Sequence, residues 1–286
     1  MKLTEELSGI HEEFLMNVDT NINIDSVILS NENKEKVNVF IKENNYRFEL
    51  IKNKLLPVNK LLFYGASGTG KTLLGKALSN YFSYTMMYVD VAKALSENTV
   101  AKNISDVFKL AKHIKTAIVF FDECDSIAWN RDSDNADGGI IRRATNSIFQ
   151  QLDQMDVSSV FIAATNMINK LDPAFERRFD LKLEFRRPNV NIKDIMEHFI
   201  FDQFSLIFDV DINDYNIIER RVNQNVKLSY YELENIAHRA MKRSVVDGSL
   251  KCKMSEILRD ISLAMNIKIK FRTDIEEEKY YESSIK

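Results

Sequence analysis

The stretch Gly65-Ala66-Ser67-Gly68-Thr69-Gly70-Lys71-Thr72 constrains this chain more than any other. It follows the apolar run Leu61-Leu62-Phe63-Tyr64 and precedes Leu73-Leu74-Gly75-Lys76-Ala77-Leu78. Buried strand, glycine-rich loop, then helix is the context a phosphate-binding loop requires. Glycines let backbone N–H groups turn inward around anionic oxygens, and the helix N-terminus adds partial positive charge. Lys71 is long enough to reach β- and γ-phosphates, and the Thr72 hydroxyl can join a Mg²⁺ shell. The expected nucleoside triphosphate contacts are therefore Gly65, Ser67, Gly68, Thr69, Gly70, Lys71, Thr72 and Leu73.

Further buried strands are predicted at Thr85–Val91, Thr116–Phe121 and Ser159–Ala164, and Leu181–Phe185 alternates in period 2 as an edge strand does. Ile24–Leu29 reads as a short strand or loop, and helices are predicted over Lys34–Leu55 and Ile140–Gln154, with Arg131–Gly139 as a loop between. Ile104, Val107, Phe108 and Ala111 form one face of another helix. Strands alternating with helices predict an α/β fold, a five-stranded parallel sheet covered on both faces. After Pro188 the period becomes helical, with a capping box at Ser229 and Glu232 and a last amphipathic helix over Met254–Met265. The expected organisation is a short N-terminal segment 1–23, a large α/β domain 24–187, a small all-helical domain 188–270 and a charged tail 271–286.

Net charge is −3 and the isoelectric point about 5.9, which argues against nucleic acid or an anionic membrane as a partner. The two cysteines, Cys124 and Cys252, form no C-x-x-C pair, so they read as free thiols. The N-terminus lacks a signal-peptide h-region and no apolar run reaches membrane-spanning length. The expected compartment is the cytoplasm.

Asp122-Glu123 ends the Thr116–Phe121 run. Open α/β sheets bind ligands beyond their strands' carboxyl ends, so Asp122 joins Thr72 as a candidate Mg²⁺ ligand and Glu123 is the candidate for polarising an attacking water. Asn166 ends the next strand, where its amide could lie beside the γ-phosphate or cap its own turn. Arg177 and Arg178 would form surface ion pairs of little worth or reach a neighbouring subunit's nucleotide, a contribution of about 10³ to 10⁵ in rate.

Together, Gly65–Thr72, Ile118–Ile127, Ala163-Ala164-Thr165-Asn166, Leu171-Asp172-Pro173-Ala174 and Arg178-Phe179-Asp180 resemble the AAA ATPases built from one ATPase module, over roughly residues 24 to 270. Lys102-Asn103-Ile104 and Arg142-Arg143 resemble small bacterial members of that group. The resemblance implies Mg-dependent ATP hydrolysis in a ring, often a homohexamer, with ATP held between subunits and the helical domain as a lid. It implies Asn166 as sensor 1, Arg178 as arginine finger, with either Arg177 standing in for the second finger arginine or a single finger operating, and Val27 and Ile28 beside adenine. Several positions depart from the family pattern. Ala66-Ser67 replaces two prolines, Leu181 replaces a second finger arginine, and Leu228-Ser229-Tyr230-Tyr231 opens the lid helix without the usual Gly-Ala contact. Ser96-Glu97-Asn98 stands where threading members carry a pore aromatic, and Trp129 lies near the expected second pore loop. The leading expectation is a machine that remodels a protein partner. The rival is an ATP-switched assembly or regulatory module, and a DNA-acting loader or initiator ranks below both.

Overall fold

The computed structural model describes residues 15–16, 20–91, 100–126, 138–188, 192–202, 207–209 and 228–265. The chain forms two compact units, Met1–Phe185 and Arg186–Lys286. The first is built on a six-stranded sheet in the order β1-β3-β4-β5-β2-β6. Its strands are β1 (Leu15–Met16), β2 (Lys60–Gly65), β3 (Thr85–Asp90), β4 (Ala117–Asp122), β5 (Val160–Thr165) and β6 (Leu181–Phe185). β2 to β6 run parallel, as expected, and β6 lies at the edge. β1 was not foreseen; it pairs antiparallel with β3, Leu15 opposite Val89 and Met16 opposite Tyr88.

Successive strand residues face opposite sides of a sheet, and here both sides are dry. Leu62, Val119, Phe121, Phe161 and Ala163 pack on one face against α4 (Val100–Ile114) and α5 (Gly138–Asp153). Leu61, Phe63, Ile118, Phe120, Ile162 and Ala164 pack on the other, with α1 (Asn31–Asn45) and α3 (Lys71–Phe82). Burial of a Phe or Leu side chain stabilises by about 1.5–3 kcal/mol, so the unbroken apolar runs of β4 and β5 are the sheet's main anchors.

The helix expected over Lys34–Leu55 is two helices, α1 and α2 (Arg47–Lys52), broken at Tyr46 where φ is −102° and ψ 19°. Ser30 caps α1 through Asn33 N–H. The break lets Arg47 turn inward, where it donates to the carbonyls of Val157 and Ser158 and to the Asn44 and Tyr84 oxygens. Ile24–Ser26 is a 3₁₀ turn rather than a strand. α6 (Pro173–Glu176) is a single turn capped by Asp172.

In the second unit, α7 (Ile192–Glu197) runs into a π-helical turn, His198–Asp202. α8 (Tyr230–Val246) opens with the expected capping box, Ser229 and Glu232 each bonding the other's backbone N–H, and α9 (Met254–Met265) follows. The all-helical expectation is refined by one short parallel ribbon, β7 (Ile207–Asp209) with β8 (Lys251–Lys253). Its three-residue strands are too short to show a period in sequence. No helix among the described residues is long and apolar enough to cross a membrane.

Candidate active site

β4, β5 and β2 are adjacent in the sheet, so their carboxyl ends bring Asp122, Asn166 and the glycine-rich loop together. Gly65 ends β2 with φ +139°, and a Cβ there would lie 1.9 Å from the Phe185 carbonyl oxygen. Only glycine lets β6 pair at this point. The Thr69 hydroxyl closes the loop by donating to the Ala66 carbonyl at 2.7 Å. Gly68 and Gly70 hold positive φ, and α3 starts at once with Lys71. Its cap, Gly70, offers no side-chain acceptor and its first turn carries no acid. The orphan N–H groups and positive end of the helix dipole therefore fit an anion. Ser67 and Leu73 are exposed at the loop and first turn.

Lys71 is buried, and its ammonium donates to the carbonyls of Gly65 (2.8 Å) and Ala66 (2.9 Å) and to Asn166 Oδ1 (2.8 Å). Burial pushes its pKa down, opposed by the Asp122 and Asp125 carboxylates. Asp122 Oδ2 accepts two hydroxyl bonds, from Thr72 at 3.0 Å and from Tyr88 at 2.8 Å, while Oδ1 accepts the Glu123 N–H at 3.0 Å. Burial, reinforced by the bond to Asp122, pushes the Tyr88 phenol up. Glu123 is exposed and sits at φ +53°, in the left-handed region. After it the chain turns through Cys124–Ser126, and burial pushes the Cys124 thiol well above its ordinary value. Asp125 Oδ1 accepts the Thr165 hydroxyl at 2.7 Å, and that hydroxyl accepts the Met167 N–H at 2.9 Å. This clasp ties the turn after β4 to the end of β5 and brackets Asn166.

The two arginines behave differently. Arg178 forks onto Asp153 (3.1 and 3.3 Å), donates to the Ala174 carbonyl at 2.6 Å and lies 4.0 Å over the Phe149 ring. Arg177 is exposed. The next acid, Asp180, accepts from the Asn59 and Lys60 N–H groups and so fixes the start of β2. Val27 is buried in the core on the α3 side of the sheet, and Ile28 is half-buried beside it in sequence. The turn preceding them packs on α3, where Asn80 donates to the Ile22 carbonyl. Ser96-Glu97-Asn98 and Trp129 lie outside the described residues, as does the side chain of Arg142. Asn103 and Ile104 are buried on α4.

The sequence reading missed Tyr88, Asp125 and Thr165. Tyr88 sits in a strand that reads as core, and its partner is 34 residues away. A polar residue one turn beyond Asp122 and one immediately before Asn166 were the available signals for the other two.

A parallel sheet with a glycine-rich loop after one strand and an aspartate at the end of the next strand but one, β5 lying between them, defines the P-loop nucleoside triphosphatase fold. Residues 61–187 match the ATPase family associated with various cellular activities (AAA). It is 35% identical over 193 residues to a 26S proteasome regulatory subunit 6B homologue of Dictyostelium discoideum, covering 64% of this chain and 46% of the relative. An uncharacterized AAA family ATPase, y4kL, of Sinorhizobium fredii is 27% identical over 237 residues, 82% of this chain and 69% of that one. The peroxisomal ATPase PEX6 of Saccharomyces cerevisiae is 34% identical over 178 residues, 60% of this chain and 17% of PEX6. The chain thus spans about half the length of the proteasomal relative and a small part of PEX6. The match to AAA proteins supports the nucleotide-binding reading of the glycine-rich loop.

Proposed function

We propose that the chain hydrolyses MgATP within a nucleotide-dependent homo-oligomeric ring, a hexamer as the family resemblance implies, and uses the cycle to remodel a protein partner. The observation that carries the chemistry is the meeting of Lys71, Thr72 with Asp122, and Asn166 at three adjacent strand ends. Lys71 and the amides from Gly68 to Thr72 receive the phosphates. Thr72 and Asp122 would hold Mg²⁺, which keeps several waters and needs few carboxylates; that fits a site where no group of three or more His, Cys, Asp or Glu occurs among the described residues. Bound there, the ion would neutralise charge on the phosphate oxygens. Glu123, free of the carboxylate network, takes the proton of an attacking water, and Asn166 positions that water. The Arg177–Arg178 pair supplies charge to a neighbouring subunit's nucleotide. Protein as the class of partner rests on relatives that include a 26S proteasome regulatory subunit, and on the net negative charge. A cytoplasmic location is part of the same proposal.

Glu123→Gln tests this reading. ATP turnover should fall by about 10² to 10⁴ while ATP affinity holds, and sedimentation should show a ring with ATP that dissociates with ADP. A protein partner should co-purify with the arrested variant. Turnover at the parental rate would overturn the role of Glu123. Rings that form normally but retain no protein would favour the ATP-switched assembly module, and ATPase stimulation by DNA with steep salt dependence would favour the DNA-acting alternative.

A further inference from the structure

We propose that Tyr88 is a positioning residue of the nucleotide centre, its hydroxyl fixing the Asp122 carboxylate in the orientation that serves Thr72 and a divalent cation. This rests on the ATPase reading above. Tyr88 on β3 lies in register with Phe120 on β4, and their rings stack at 5.7 Å and 9°. Phe120 is fully buried, and on the α3 side it meets Gly75 so closely that a Cβ on that glycine would fall 2.6 Å from the ring. Helix backbone, Phe120 ring and Tyr88 ring therefore form three tight layers, and the tyrosine has little freedom to swing. Two residues further along β4, on the same face, stands Asp122.

The layers recur there as hydrogen bonds. Thr72 on α3 and Tyr88 on β3 both donate to Asp122 Oδ2, at 3.0 and 2.8 Å. The adjacent Glu123 N–H holds Oδ1. With the phenol in place the carboxylate is held through both oxygens and cannot rotate without breaking a charge-assisted bond. Without it, Oδ2 keeps only the Thr72 hydroxyl, the group that must itself turn its oxygen toward a cation. Tyr88 is thus the support that remains when Thr72 is engaged.

The full chain, Tyr88→Phe and Tyr88→Leu are titrated with a fluorescent ATP analogue in Mg²⁺ and in EDTA, with thermal melting to report folding. Tyr88→Phe keeps the ring stack, so it should melt with the parent and bind equally well in EDTA. Its gain in affinity on adding Mg²⁺ should be smaller by about tenfold, the loss expected for a hydrogen bond to a charged group. Tyr88→Leu should show the same loss of Mg²⁺ gain together with a lower melting temperature. An undiminished Mg²⁺ gain in Tyr88→Phe would overturn the proposal while leaving the ATPase reading intact, as would a loss of the same size in EDTA. A parental chain without Mg²⁺-dependent binding would overturn both.

Discussion

Replacing Gly75 with alanine tests whether α3 must lie directly on the sheet for the site to form. The added Cβ would fall 2.6 Å from Phe120 Cε2 and 2.7 Å from Cδ2. That ring is fully buried and wedged between Phe63 at 6.4 Å and Tyr88 at 5.7 Å, so it has little room to retreat in a close-packed core. Carbon contacts settle at about 3.5 Å or more, so helix and ring must separate by about 0.9 Å from the built 2.6 Å. Thr72 precedes Gly75 by one helical turn. If it moves with the helix, its 3.0 Å bond to Asp122 opens to about 3.9 Å, beyond hydrogen-bonding distance. Overpacking costs about 1–3 kcal/mol, and the better helix propensity of alanine offsets about 1 kcal/mol. A net loss of about 1 kcal/mol should lower the melting temperature by about 2–4 °C for a chain of this size. Mg²⁺-dependent nucleotide affinity should fall with it. Differential scanning fluorimetry and nucleotide titration read the two effects separately. A variant that melts above the parent and binds MgATP as tightly would show that close approach at Gly75 does not seat Thr72.

Three further outcomes are expected. Arg177→Ala should leave the melting temperature unchanged yet cut ATP turnover by about 10³. Arg178→Ala, which loses the Asp153 fork and the Phe149 contact, should lose about 1 kcal/mol of stability; reversed melting effects would refute this division. Glu232 is held below its ordinary value of 4.5 by the Ser229 N–H, so its cap stabilises fully above pH 4.5 and is lost as pH falls through the depressed folded value. Glu232→Gln should therefore destabilise at pH 7 by about 0.5–1 kcal/mol, with the difference vanishing in acid melts; a constant difference would point away from the carboxylate. Both cysteines are buried and their thiols raised by that burial, so the native chain should resist a thiol reagent at pH 8 and release two thiols only on unfolding. Rapid labelling of native protein would contradict the placement of Cys124 and Cys252.

What the sequence discloses is what local spacing determines. The phosphate loop is read within eight residues, and β4 and β5 announce themselves because burial on both faces leaves no polar alternation. β1 is two residues long and exists only by pairing with β3, so nothing local marks it. The break at Tyr46 carries neither glycine nor proline; it is visible only once Arg47 is seen reaching the loop at 157–158, more than a hundred residues away. The same holds at the site. Asp122 and Glu123 follow from their strand, but Tyr88 and Thr165 reach their carboxylates 34 and 40 residues away through strand register. Arg178 looks free in sequence because Asp153, its partner, lies 25 residues back on α5.

The backbone of Glu123 has a consequence for laboratory evolution. Its φ of +53° is a conformation that costs an L-residue about 1–2 kcal/mol and glycine almost nothing. A library at this position, screened only for heat resistance, should therefore enrich glycine and discard the carboxylate. On the proposed role of Glu123, the position that best rewards a thermostability screen is the one where ATP turnover can least accept the winner.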